Sequence, residues 1–95
     1  MFIVFLKFSA NKAAAPDHME GHKQWLQQGF DDGVFLVAGS LQPGLGGGIV
    51  GHATTRDDLD ARLGADPFVV EDVVTVEIHE IDPARADDRL TFLLN

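Results

Sequence analysis

Short apolar runs recur along the chain, and most of them have the length and composition of β-strands. Residues 2–8 are rich in β-branched and aromatic side chains, which favours a first strand. The runs at 34–40, 49–53 and 73–81 predict a second, third and fourth strand. The first two strands are apolar on both faces, whereas a sheet with one wet face would alternate apolar and polar residues. Both faces of the predicted sheet should therefore be covered.

The segment between the first two strands has helical features. A first helix is predicted from residue 16 or 17 to about residue 32, because proline and acidic residues suit a first helical turn. Gly33 then fits the C-terminal end of that helix. Met19, Leu26 and Phe30 form one apolar stripe, which we expect to face the core.

A second helix is predicted between the third and fourth strands. It spans residues 56–63 and follows Thr55, which has the character of an N-cap. Asp58 and Arg62 lie four positions apart and should form an ion pair on the helix surface. Residues 66–68, Asp-Pro-Phe, should open a brief turn or short helix before the last strand.

The predicted order of elements is βαββαβ, which indicates an α+β fold. Two right-handed split βαβ halves give a ferredoxin-like plait, with a four-stranded antiparallel sheet and both helices on one face. The other, apolar face should not stay in water, and the simplest cover is the sheet of a second copy. We expect one domain over residues 1–95, with a core at 1–82 and a C-terminal extension at 83–95. The apolar end of that extension could pack on the partner or cover an opening.

Composition and charge remove several classes of function. The net charge of −8 argues against binding to nucleic acid or to an anionic membrane surface. No apolar run approaches the ~20 residues of a membrane span, and the apolar start lacks the features of a signal peptide. The absence of cysteine excludes a thiolate metal site and a cysteine nucleophile, and fits a reducing compartment. A cytoplasmic protein is the simplest interpretation.

Several short motifs follow one another in an order that resembles the YciI-like (YCII-related) family. Over residues 1 to about 82 these are the apolar start Met1-Phe2-Ile3-Val4, His22 before Trp25-Leu26, Ala38-Gly39-Ser40 at the end of the second strand, Gly47-Gly48, and above all Asp66-Pro67-Phe68. The extension after Pro83 departs from the short end of that family.

The resemblance carries implications for fold and chemistry. It implies a dimeric α/β-barrel fold, shared with muconolactone isomerase and small cofactor-free monooxygenases. It also implies a pocket in which a histidine of the first helix faces an aspartate. Some relatives act as dehydrochlorinases on hydroxylated aromatic compounds, so a small-molecule ligand and no cofactor are expected here.

His22 is the first candidate for catalysis. Histidine has an unperturbed pKa of about 6.5, which suits proton transfer near neutral pH. His22 lies on one border of the apolar stripe of the first helix, where the wall of a pocket would be. The alternative is a partly buried histidine that only packs and forms hydrogen bonds.

Asp66 is the second candidate. A residue before proline is restricted to extended backbone, which would fix the direction of its carboxylate. Such a carboxylate could orient the imidazole of His22, as in a catalytic triad. Aspartate followed by proline is also the pattern of an N-cap with proline at the first helical position. Both interpretations hold together if one carboxylate oxygen caps the helix and the other faces the pocket.

Four further residues complete the predicted site. Ser40, at the end of the second strand, could bind an oxygen of the substrate, although a hydroxyl that bonds to backbone is the simpler interpretation. Trp25 could stack on an aromatic ligand, and Phe68 and His18 could contact it or line the rim. His18 and His22 have the spacing of two metal ligands, but no zinc-protease motif accompanies them, and we predict no metal site.

Two functions remain as hypotheses. The first is a cofactor-independent enzyme in which His22 and Asp66 transfer a proton, in an isomerisation or an elimination, on a small aromatic or lactone-like substrate. The second is a non-catalytic dimeric module that binds a small molecule or a partner. The separation of the His22 ring from the Asp66 carboxylate is the observation on which the choice depends.

Overall fold

The computed structural model describes residues 1–94 and shows one four-stranded antiparallel sheet in the order β2-β3-β1-β4. The elements are β1 (Phe2–Phe8), α1 (Ala15–Asp31), β2 (Phe35–Leu41), β3 (Gly46–Gly51), α2 (Arg56–Leu63), α3 (Pro67–Val70) and β4 (Val74–Glu80). Short 3₁₀ turns span Lys12–Ala14 and Asp88–Leu93. This order of strands, with helices between them, is the ferredoxin-like plait that the sequence predicted.

Strand β1 is one of the two central strands of the sheet, and its side chains alternate between the two faces. Phe2, Val4 and Leu6 point toward the helices and are buried, and Val4 is fully excluded from solvent. Ile3 and Phe5 point to the opposite face and are half-buried. The buried side of β1 packs against apolar residues of all three helices, namely Ala15, Leu59, Leu63 and Phe68. The core therefore lies between the sheet and the helical layer.

The helix ends follow the sequence closely. Gly33 has a φ of +74°, and its N–H donates to the carbonyl of Phe30 while the N–H of Val34 donates to that of Gly29. This pair of bonds is a Schellman motif, which needs the left-handed conformation that glycine adopts without strain. At the start of α2, Thr55 Oγ1 accepts a hydrogen bond of 3.1 Å from the N–H of the third helical residue.

The ion pair predicted within α2 is wrong. Arg62 does not pair with Asp58; its Nη2 lies 2.9 Å from Oδ2 of Asp32, at the end of α1. Asp32 also accepts a hydrogen bond from Gln28 of α1, so its carboxylate has two hydrogen-bond partners. Tertiary proximity replaces the local i,i+4 pair, so Arg62 links the two helices.

The third strand begins earlier than predicted. It spans Gly46–Gly51, so the glycine run belongs to β3, and residues 52 and 53 lie beyond its end. Gly46 has a φ of +132°, and a Cβ there would overlap the carbonyl oxygen of Leu6. Glycine weakens an isolated strand, but β3 is paired on both sides, with β1 and β2. Pairing on both edges overrides the low strand propensity of glycine.

The sheet face away from the helices carries an apolar half and a polar half. Val37 and Val50 pair across β2 and β3 beside Ile3 of β1. On β4, Glu77 accepts from Lys7 at 3.2 Å and pairs with His79 at 3.0 Å. We call this surface the open face. The buried residues of α1, α2 and α3 pack on the other face of the sheet.

The C-terminal extension lies beside the end of β3. Phe92 packs its ring against the edge of His52, with centroids 5.4 Å apart. Leu90 and Phe92 remain largely exposed, at 44% and 55%. Neither this segment nor any other part of residues 1–94 forms a helix long and apolar enough to cross a membrane.

Candidate active site

A hydrogen bond joins the two residues that the sequence singled out. His22 Nδ1 lies 2.8 Å from Asp66 Oδ1, although 44 positions separate them in the sequence. Asp66 is fully buried, and the His22 side chain is 15% exposed. The two residues meet because His22 faces inward from the third turn of α1 and Asp66 stands directly before α3.

The carboxylate of Asp66 also caps α3. Its Oδ1 accepts a hydrogen bond of 3.0 Å from the N–H of Phe68, and its backbone is extended, at φ −67° and ψ 124°. The cap and the contact with His22 therefore share one oxygen, whereas the sequence suggested one oxygen for each. Oδ2 is buried and has no hydrogen-bond partner among residues 1–94. The cap holds the carboxylate in one orientation relative to the imidazole.

Aromatic rings fix the imidazole plane. The rings of His22 and Phe68 are stacked, with centroids 4.0 Å apart and planes within 4°. Trp25 lies nearly parallel to His22 at 5.7 Å, and its indole N–H donates to the carbonyl of Arg62 at 2.8 Å. Because Trp25 is itself anchored to α2, the imidazole has little freedom to rotate.

A cavity of about 300 Å³ opens beside His22, between α1 and the sheet. Three of the predicted site residues line it, namely His22, Ser40 and Phe68. Asp66 stands behind the His22 ring, and His18 and Trp25 are not among the lining residues. Of the six predicted site residues, three therefore face the cavity and two, Asp66 and Trp25, contact His22 from behind.

The rest of the cavity wall is apolar or formed by backbone. The apolar residues are Leu6, Phe8, Met19, Leu26, Ala38, Ile49 and Val74. Gly47 faces the cavity from β3, since it pairs with Leu6 on the helical side of the sheet. A volume of this size holds a small ring compound.

Part of the cavity wall was assigned to the core from sequence. Met19 and Phe30 are both 37% exposed, so the apolar stripe of α1 is less buried than expected. Met19 and Leu26 line the cavity, because α1 stands off the glycine-rich part of the sheet. Lys23 also lines it and was missed, since a lysine beside a helical stripe is normally a solvated surface residue.

The geometry gives His22 one free nitrogen. Nδ1 is engaged by the carboxylate, which selects the tautomer with the proton on Nδ1 and leaves Nε2 as an acceptor. Ser40 brings a hydroxyl to the same cavity. Among residues 1–94, no three histidine or acidic side chains come together as metal ligands. The arrangement is suited to accepting a proton and to holding an oxygen.

Comparison with known proteins identifies the fold. No protein-family model matches the sequence, and no curated protein matches it. A solved structure of 5-chloro-2-hydroxyhydroquinone dehydrochlorinase (TftG) from Burkholderia phenoliruptrix AC1100, in complex with 2,5-dihydroxybenzoquinone, is similar, with a TM-score of 0.71. The two are 16% identical, and the match covers 84% of this chain and 91% of that chain. At this identity the likeness shows a shared fold, and membership of the YciI-like family stays a prediction.

Proposed function

We propose that this chain is an enzyme in which His22 transfers a proton to or from a small substrate. The observation that carries the proposal is the 2.8 Å hydrogen bond between His22 and a fully buried Asp66, beside a cavity that His22 lines. A histidine that only packs at the surface does not require a buried carboxylate that is held in one orientation. Groups placed in this way are typical of general bases.

Each residue has one role in the proposed reaction. Nε2 of His22 takes a proton from an acidic C–H or O–H of the substrate. Asp66 stabilises the resulting imidazolium and does not itself take the proton. Ser40 donates a hydrogen bond to an oxygen of the substrate. In an isomerisation the proton returns to another atom of the same molecule. In an elimination the electron pair released by the lost proton forms a new double bond, and the leaving group departs with the electron pair of the bond that held it. Neither reaction requires a cofactor.

The substrate class follows from the wall of the cavity. Phe8 and Phe68 present aromatic surface, and the glycine-rich part of β3 presents flat backbone, which together suit a planar ring. A hydroxylated aromatic or lactone-like compound fits this wall and supplies an oxygen for Ser40. The dehydrochlorinase of the same fold, solved with 2,5-dihydroxybenzoquinone, supports this choice.

We further propose that the protein is a homodimer through the open face. Val37 is 57% exposed there, beside the half-buried Ile3 and Val50. An apolar surface of this kind is stabilised when a second sheet covers it. The candidate cavity lies on the helical side of the sheet, so this interface leaves it accessible.

Chloride release from 5-chloro-2-hydroxyhydroquinone tests the proposed reaction, and 2,5-dihydroxybenzoquinone tests the binding site. The wild-type protein should release chloride, and His22→Ala should lose at least about 100-fold in rate, as expected for a general base. His79→Ala is the matched control, because His79 lies on the open face and does not line the cavity, so the rate should stay unchanged.

The non-catalytic module is the other outcome of the same experiment. In that case 2,5-dihydroxybenzoquinone would perturb the cavity resonances while no substrate of this class is turned over. A rate in His22→Ala equal to that of the wild type would also end the proposal, provided that the circular dichroism spectra of the two proteins agree.

A further inference from the structure

The cavity beside His22 is free of acidic groups, although the protein is strongly acidic. The chain has 15 Asp and Glu residues against 7 Lys and Arg, yet no carboxylate lines the cavity. The ionisable residues on its wall are His22 and Lys23. Asp66 lies behind the imidazole and is engaged by it. The charge that a ligand meets on this wall is therefore positive or neutral.

Lys23 has no acidic partner within the part of the chain that the structure describes. Lys7 pairs with Glu77, Arg62 with Asp32 and Arg56 with Asp60, but no ion pair includes Lys23 in residues 1–94. In a protein with an excess of carboxylates, a lysine on a cavity wall that forms no ion pair has an ammonium group available for a ligand.

His22 and Lys23 are adjacent on α1 and face different parts of the cavity. Consecutive residues of an α-helix point about 100° apart, so the two side chains do not compete for one spot. His22 is 15% exposed and held by Asp66, whereas Lys23 is an exposed residue. Lys23 thus lies toward the mouth, and its flexible stem and compact charge suit an oxyanion at a range of distances.

We propose that Lys23 binds an anionic group of the ligand, so that the substrate is a small aromatic or enolic acid carrying a carboxylate or phenolate. This inference deepens the proposed function, because it assigns the charge of the substrate that His22 would act on. Lys23 is a binding residue here, and proton transfer stays with His22. The anion is held at the mouth, and the acidic C–H or O–H reaches Nε2 of His22.

Two probes of equal shape and different charge test the inference. 4-Hydroxybenzoate and 4-hydroxybenzamide are titrated into the protein at neutral pH, and the amide resonances of Gly47 and Ile49 report on occupancy of the cavity. The wild-type protein should bind the benzoate about twofold to fivefold more tightly than the amide, as expected for an exposed ion pair. Lys23→Gln should reduce this ratio to about one, and 0.5 M salt should weaken it in the wild type.

Lys7→Gln is the matched control, since it removes the same charge from the opposite face of the sheet. It should leave the ratio of affinities unchanged. Equal binding of the two probes to the wild type, an unchanged ratio in Lys23→Gln, or no saturable binding of either probe would overturn the inference. A charge preference that depends on Lys23 in a protein that turns over no substrate would instead overturn the proposed reaction and leave the anion site standing.

Discussion

Oδ1 of Asp66 accepts two hydrogen bonds, one from the imidazole of His22 and one from the N–H of Phe68. The second bond is an ordinary helix cap and is local in sequence. The first reaches across the fold to another helix. Because the cap already requires an acceptor at this position, the geometry at His22 is supported by an interaction that is formed whether or not a ligand is bound. The site is therefore held in place by secondary structure.

Two substitutions of Asp66 separate the cap from the charge. Asp66→Ala removes both hydrogen bonds and should lower the free energy of unfolding by about 2.5–4 kcal/mol, from a cap worth about 1 kcal/mol and a hydrogen bond to a charged group worth about 1.5–3 kcal/mol. Asp66→Asn keeps an oxygen that can accept from the N–H of Phe68, so it should cost less than the alanine variant. Urea denaturation of the three proteins measures both differences.

Asp66→Asn also tests whether the hydrogen bond to Asp66 selects the tautomer of His22. The cap requires the amide oxygen of Asp66→Asn to stay toward Phe68, and that oxygen can also accept from Nδ1–H of His22. The tautomer should therefore persist while the negative charge is lost. ¹⁵N spectra of the imidazole at a pH where His22 is neutral show which nitrogen carries the proton. A proton on Nε2 in the wild-type protein would contradict the role given to Asp66.

At the scale of single residues, local features of the site can be predicted from the sequence, and contacts between helices cannot. The order Asp66-Pro67-Phe68 is enough to predict an extended aspartate before a short helix, because both constraints are local. The contact with His22 depends on how α1 packs against α3, which no local pattern contains. Lys23 went unnoticed for the same reason, since only the packed structure distinguishes a cavity mouth from open surface.

At the scale of elements, the glycine run of β3 shapes the candidate cavity. A Cβ on Gly47 would meet only the carbonyl of Gly39 at 3.5 Å, which is ordinary contact, and it would point toward the helical side. Gly47→Val should therefore fold, because valine suits a paired strand, but its side chain should occupy the cavity. We expect binding of 2,5-dihydroxybenzoquinone to weaken at least about tenfold, which is about 1.4 kcal/mol, as measured by calorimetry.

Gly48→Val is the control for that prediction. Gly48 pairs with Phe5 and faces the open side, where a Cβ would meet only the carbonyl of Val4 at 3.9 Å. It adds the same branched side chain to the same strand without entering the cavity. Similar weakening in both variants would show that strand stiffness, and not occupancy of the cavity, controls binding.

The ion pair between Asp32 of α1 and Arg62 of α2 should make the stability of the fold depend on pH. The hydrogen bond from Arg62, followed by one from Gln28, holds the pKa of Asp32 below its ordinary value of 3.8. A carboxyl with a lowered pKa in the folded state stabilises the fold above its ordinary pKa, and this contribution is lost as pH falls through the folded-state value. Arg62→Met should raise the pKa of Asp32 toward 3.8, and the stability deficit that this variant shows at neutral pH should shrink as the pH falls below 3.8.

Carboxyl ¹³C titration of Asp32 and urea midpoints at neutral and acidic pH check this prediction. Arg56→Met is the matched variant, because Arg56 lies on the same helix but pairs with Asp60 at 3.2 Å. It should leave the titration of Asp32 unchanged. A stability deficit of Arg62→Met that is equal at both pH values would assign the loss to packing of the arginine stem and not to the ion pair.

Elements with local signals were predicted well, and the errors lie where tertiary contacts decide. Strand β1 and helix α2 have the predicted bounds, since a run of β-branched and aromatic residues and a threonine cap are local signals. Strand β3 was placed three residues too late at its start, because glycine has a low strand propensity and only pairing on both edges holds the run extended. The partner of Arg62 was wrong because Asp32 approaches from another helix.

At the scale of the whole molecule, the open face is the largest feature that the single chain leaves unexplained. Its apolar half includes Val37, Ile3 and Val50, and Val37 is 57% exposed there. A chain of 95 residues buries only about 60–65% of its unfolded surface, so a second copy adds stability that the monomer lacks. The predicted homodimer follows from this balance.

Val37→Asp and Val70→Asp form a matched pair that tests the homodimer. The two valines are 57% and 58% exposed, so in a monomer the two substitutions differ little in buried area. Only Val37 lies on the open face, and its charge would be buried between two sheets. Sedimentation velocity at about 50 μM should show a dimer for the wild type and for Val70→Asp, and a monomer for Val37→Asp, because an unpaired buried charge costs several kcal/mol.

The dependence of dimer affinity on salt concentration provides an independent test of the same interface. Each copy carries a net charge of −8, so two copies repel one another at low ionic strength. An interface formed by apolar side chains should therefore tighten as salt rises from 0.05 to about 0.5 M, since screening removes the repulsion and leaves the apolar contact. An interface built on the Lys7–Glu77 pairs would weaken over the same range. A dimer that dissociates on addition of salt would thus place the contact on the polar half of the open face, and a wild-type monomer at every salt concentration would exclude the proposed assembly.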